Sequence, residues 1–198
     1  MGKVILKTAL ATLGSLLAAL LILSAALTMF TPRTMSQVFD LLGGEKVSLW
    51  YMELSYQKTD TADDLTALFM KSVSVKDNVR AGKYGKVLAQ REDFAKICET
   101  QDKQSAGSSL EKIPFENYVY GNTAAAVYFV TGAEDAVSYA AEHTPAAYPS
   151  FNALQSLIYL DGAENDGELL VLLANALAGY AGEDAAADLA YLQSLLQH

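Results

Sequence analysis

The run LLVLLANALAGY, residues 169–180, decides how the chain is read. Leu169, Leu172, Leu173, Ala176, Leu177 and Tyr180 recur at helical spacing, and only Asn175 interrupts an otherwise apolar surround, so the segment predicts a helix covered on most sides. About a dozen apolar residues fall short of the ~20 that a bilayer span needs. The stretch is therefore expected to be the central core helix of the C-terminal half.

The segments around it carry the same rhythm. Downstream, Asp184 is expected to cap a last helix with Ala185, Leu189, Leu192 and Leu196 in register. Upstream, Ser150 opens a helix with Phe151, Leu154, Leu157 and Ile158, which Asp161-Gly162 stops. Before it, Thr131 and Glu134 form a capping box for a helix carrying Ala136, Val137, Ala140 and Ala141, ended by Thr144-Pro145. Residues 115–130 read as helix interrupted at Gly121-Asn122.

Residues 101–113 are polar and lack an apolar rhythm, so they mark a loop and a possible subdivision into 31–100 and 114–198. In the earlier part, Thr34 and Gln37 predict a short capped helix that Gly43-Gly44 stops. Val47, Trp50, Tyr51 and Leu54 then form an apolar stripe. Thr61 and Asp64 cap a helix with Leu65, Leu68, Phe69 and Ser72 on its face. A fourth helix, 77–90, carries Ala81, Tyr84 and Leu88 but is weakened by Gly82 and Gly85, and Phe94, Ile97 and Cys98 mark a fifth. The fold class expected is all-α.

Residues 8–30 differ from 169–180 in length. At 1.5 Å per residue they cover a hydrocarbon core about 30 Å thick, so residues 1–30 are expected to be a cytoplasmic stub and transmembrane anchor. Residues 31–198 form the helical domain. Lys3, Lys7 and the terminal amine precede the apolar run and place the N-terminus in the cytoplasm and the domain outside. The alternative is a secreted protein cleaved near Ala26, because Ser24-Ala25-Ala26 supplies the small residues of a signal-peptidase site. Gly14 and Ser15 permit close helix approach, although no Gly-x-x-x-Gly spacing is present.

Charge is unevenly distributed. Residues 31–113 hold twelve Lys or Arg against twelve acids, whereas residues 114–198 hold eleven acids and no Lys or Arg. That anionic half repels nucleic acid and anionic lipid, and it favours a basic partner. No nucleic-acid partner is expected.

A shift of about 34 residues lays Val47, Trp50, Tyr51 and Leu54 on Ala81, Tyr84, Gly85 and Leu88. The register resembles the second helix of a tetratricopeptide repeat over residues 34–93, with Leu54 larger than that pattern prefers and Gly85 where it has an aromatic residue. The resemblance implies a right-handed stack of helical hairpins used for protein binding. An irregular helical bundle is the other arrangement compatible with these helices.

No catalytic, cofactor-binding or metal-ligating set is assigned. Cys98 shares a face with Phe94 and Ile97 and reads as a core residue. His143 and His198 lack the spacing of a zinc site. Asp161, Glu164, Asp166 and Glu168 surround Gly162 and Gly167 without the ligand positions of a calcium loop. An enzyme using acidic side chains in a helical cleft would need two of the C-terminal acids close together and partly buried. Among the tyrosines, Tyr56, Tyr120 and Tyr148 are the candidates for exposed contacts in a sugar- or peptide-binding groove. The function expected is a membrane-anchored protein-interaction or scaffold module of the cell envelope.

Overall fold

The computed structural model describes residues 2–106 and 113–197, with side chains for all of these except 2–11, 27, 29 and 30. Among them the protein is all-helical, with no strand. Two compact units follow one another along the chain, Met1–Leu68 and Phe69–His198.

The first unit contains α1 (Gly2–Phe30), α2 (Pro32–Leu41), α3 (Glu45–Thr59) and the start of α4 (Ala62–Ser74). Thr31 separates α1 from α2, and Pro32 occupies the first turn of α2, where its missing N–H costs nothing. The helix therefore begins before the expected Thr34–Gln37 box. Gly43, at φ +73°, makes the turn between α2 and α3, which needs a left-handed residue.

The two helices pair through a Ser36–Ser48 hydroxyl bond of 2.9 Å and a Phe39–Tyr51 stack at 5.4 Å. The buried face of α3 is Ser48, Leu49, Tyr51 and Ser55. Val47 and Trp50 are exposed, so the expected Val47–Leu54 stripe is rotated. Small hydroxyl residues take the inside because their oxygens have partners there. Ser55 and Thr59 both donate to Asp64, at 3.2 and 2.6 Å, and Arg33 pairs with the same carboxylate at 3.1 Å. Thr61 caps α4 by accepting from the Asp64 N–H, as the sequence predicts. Leu65 and Leu68 are fully buried.

At the end of α1, Thr28 is bonded by Tyr51 through its hydroxyl and by Lys58 through its carbonyl, at 3.0 and 3.1 Å. Among the described residues no helix is long and apolar enough to cross a membrane. Within α1 the continuous run of described side chains is 12–26, and the expected span of 8–30 extends beyond it at both ends.

The second unit holds the rest of α4, α5 (Asn78–Ala89), α6 (Phe94–Ser105), α7 (Phe115–Thr131), α8 (Ala133–Glu142), α9 (Ala153–Ile158), a 3-10 turn at Ala163–Asn165, α10 (Gly167–Leu177) and α11 (Glu183–Leu195). The stretch 169–180 supplies α10, as expected. Leu169, Leu170, Leu173 and Leu177 point into a core shared with α8, α9 and α11. Each such leucine contributes on the order of 1.5–3 kcal/mol.

Several boundaries differ from the sequence reading. Residues 101–105 belong to α6, where Lys103 pairs with Glu99 across one turn, and residues 107–112 of the expected loop lie outside the described residues. α7 is continuous through Gly121-Asn122. Gly132, at φ +106°, precedes α8, and the Thr131 hydroxyl turns back to the Val127 carbonyl instead of capping. α9 starts after Asn152, which accepts from the Gln155 N–H, leaving Ser150 and Phe151 in the preceding loop. Gly182 precedes α11, with Asp184 in its first turn.

Candidate functional site

α7 is clasped on two sides because small residues let its neighbours approach. A Cβ at Gly85 of α5 would collide with Thr123 Oγ1, and one at Gly82 would touch Ala126. On the opposite flank, a Cβ at Gly121 would collide with Ser156 Oγ of α9. The α7 face between these contacts carries Tyr118, Asn122, Ala125 and Phe129, at helical spacing, and it stays open.

That face is the floor of a groove made of two pockets that share Asn122. One, of about 450 Å³, is walled by Phe151, Gln155, Ser156 and Tyr159. The other, of about 440 Å³, is walled by Val73, Lys76 and Asn78 on one side and Leu160 and Asp161 on the other. Two aromatic walls are conspicuously open to solvent, Tyr159 at 62% and Phe151 at 48% exposure.

The loop that presents Phe151 is held against backbone preference. Tyr148 and Phe151 have φ of +47° and +62°, values that side-chain-bearing residues seldom adopt. The surrounding bonds account for their persistence. Phe151 N–H donates to Gln155 Oε1 at 2.6 Å, Asn152 Nδ2 to the Pro149 carbonyl at 2.9 Å, and Asn117 Nδ2 to the Ser150 carbonyl at 3.3 Å.

Behind the groove lies Asp188 of α11, only 4% exposed. Its carboxylate accepts from Tyr148 OH at 2.8 Å, Gln155 Nε2 at 2.8 Å and Tyr159 OH at 2.6 Å. All three donors are neutral. Tyr159 is raised to about 12, first by its bond to Asp188, and burial together with the same carboxylate pushes Tyr148 up as well. Two of the groove's walls, Gln155 and Tyr159, are thus fixed by one buried charge.

The residues singled out in the sequence fall elsewhere. Tyr148 is buried at 3% exposure and is no contact residue, because its hydroxyl is committed to Asp188. Tyr56 and Tyr120 are half-buried. Tyr120 packs at a tilt against His143 at 4.5 Å, and Tyr139 stacks with the same imidazole at 4.2 Å. His143 Nδ1 lies 2.8 Å from the Tyr139 carbonyl, while His198 is outside the described residues.

Cys98 is buried, and loss of solvent, reinforced by Glu116 and Asp102, pushes its thiol up to about 12, so it stays protonated at neutral pH. Asp166 caps α10 through the Leu169 N–H at 3.1 Å and accepts from Tyr128 OH at 2.7 Å. Asp161, Glu164 and Glu168 are exposed. Among the described residues no three His, Cys, Asp or Glu side chains form a metal-holding group. Of the acids between 114 and 198, Asp188 is buried and Asp166 is partly buried.

The groove was illegible in sequence because α7 looked broken at the very glycine that lets α9 approach it. The available signal was the spacing of Tyr118, Asn122, Ala125 and Phe129 on one unbroken helix. No protein-family model matches this chain, and neither a curated protein nor a solved structure matches it significantly.

Proposed function

We propose that the chain is a membrane-anchored helical binding module of the cell envelope that holds a partner protein in the groove over α7. The observation that carries this reading is the groove itself. It is concave and lined by solvent-open aromatic side chains and amides, and its loop is kept in an unfavourable backbone conformation by a dense set of hydrogen bonds, which is common where a surface is used for binding.

The anchor is supported by α1. Leu13, Leu16, Leu17, Leu20, Leu21 and Ile22 are all more than half exposed, an apolar surface that a lone helix does not keep in water. The basic residues ahead of it favour a cytoplasmic N-terminus and an outward-facing domain. The paired helices α2 and α3 support a helical-hairpin module whose work is protein binding.

The test is chemical crosslinking of the full-length protein in its native membrane, comparing the parent with Asn122→Lys, which fills the middle of the groove. A specific protein adduct that the variant loses is the expected result. An adduct pattern identical in the two would remove the groove from the account.

A further inference from the structure

Resting on that reading, we infer that the groove takes a cationic, arginine- or lysine-bearing peptide segment of the partner, with the cation held on the Tyr159 ring in front of Asp188. Such a segment complements the charge behind the groove. Asp188 is almost wholly buried and carries a charge whose three hydrogen-bond donors, Tyr148, Gln155 and Tyr159, are all neutral. From 114 to 198 the chain has no lysine or arginine to offset it. A buried carboxylate without an opposite charge is costly, and a cation placed nearby in a partly desolvated groove lowers that cost.

Tyr159 is the surface through which such a cation is met. Its hydroxyl donates to Asp188 at 2.6 Å, which draws the proton toward the carboxylate and leaves the ring richer in electrons. One face is stacked on Tyr191, with centroids 5.7 Å apart. The residue nevertheless stays 62% exposed and lines the groove, so a guanidinium or ammonium can lie over it. Phe151 offers a second apolar wall for the alkyl stem.

The far end of the groove is electrically balanced, because Lys76 and Asp161 line it together. The cation is therefore expected at the Tyr159 end. From Tyr118 to Phe129 the floor is roughly 16 Å long, at 1.5 Å per helical residue, enough for about five residues of extended chain. That length suits a short linear segment.

The experiment uses the full chain in phosphatidylcholine nanodiscs, whose zwitterionic lipid does not attract a basic probe. The probe is a fluorescein-labelled pentapeptide of alternating glycine and arginine, compared by anisotropy with citrulline and glutamate counterparts. Circular dichroism serves to check that Asn122→Lys and Phe151→Ala fold as the parent does.

The arginine peptide is expected to bind at least about tenfold tighter than the citrulline peptide, a difference of about 1.4 kcal/mol. That binding should weaken with salt, disappear in Asn122→Lys and weaken in Phe151→Ala. Equal binding of the citrulline peptide would overturn the cationic class while leaving the binding-module reading intact. Arginine binding that ignores both variants would place it on the acidic surface and overturn the site. If neither peptide binds, the inference falls, and the module reading is still judged by crosslinking in the native membrane.

Discussion

Asp188 shows how one residue can organise a surface that it barely touches. It joins α11 to α9 and to the loop before α9, so its removal leaves Tyr148, Gln155 and Tyr159 without their acceptor. Bonds to a charged group are worth about 1.5–3 kcal/mol each, and Tyr148 is buried with its hydroxyl donated to Asp188. Asp188→Ala is therefore expected to destabilise the second unit by about 2–4 kcal/mol in denaturant unfolding. Asp188→Asn keeps an acceptor oxygen and should lose clearly less; equal losses would mean that the carboxylate is not the organising group.

The same contact has an alkaline signature. Tyr159 is raised from the ordinary 10 to about 12. The folded state therefore holds a proton that the unfolded chain has lost between those values. The stabilisation is complete below pH 10 and is lost as the pH rises toward 12. Absorbance titration of the parent should show a late-ionising tyrosine that Tyr159→Phe removes; an unchanged titration in that variant would contradict the assignment. Asp166 works in the opposite direction. Tyr128 and the Leu169 N–H hold it below the ordinary 3.8, so its contribution to the α10 cap is present above that value and fades as the pH falls through the lower, folded-state one.

Within the second unit α7 packs against α5, α6, α8 and α9, and its contacts with α5 and α9 rest on glycine. Gly85→Ala gains helix propensity of about 1 kcal/mol but forces a methyl group into Thr123 Oγ1 and Phe69, and overpacking costs about 1–3 kcal/mol or more. Net destabilisation is expected in thermal melts, and Thr123→Ala in the same chain should recover part of it. A simple gain in stability would show that α5 and α7 do not meet there.

This packing also marks the limit of what the sequence makes visible. The faces of α4, α5, α6 and α10 were readable because Leu65, Phe69, Tyr84, Ile97 and Leu173 recur at helical spacing. The face of α3 was not, since Ser48 and Ser55 are buried by hydroxyl bonds and carry no hydrophobic signal. Gly121 looked like an interruption because propensity registers its entropy and not the neighbour that requires it. Asn152 was missed as the cap of α9 because Ser150 stood closer to the expected apolar run. Asn152→Ala should cost about 1–2 kcal/mol, measured by the denaturation midpoint.

On the proposed reading the whole molecule has α1 as its anchor and the α7 groove as its binding surface. Alkaline carbonate washing should leave the full chain with the membrane and release a variant lacking residues 1–30. Recovery of the full chain in the supernatant would contradict anchoring by α1. The more searching claim is that the α7 groove is where a partner sits, and it is tested most directly by placing a photo-crosslinkable phenylalanine analogue at position 151. An analogue at position 138, on the exposed face of α8, serves as the control. Irradiation in the native membrane is predicted to give a discrete protein adduct from 151 and none from 138. Adducts from both positions alike, or from neither, would contradict the groove as the binding surface.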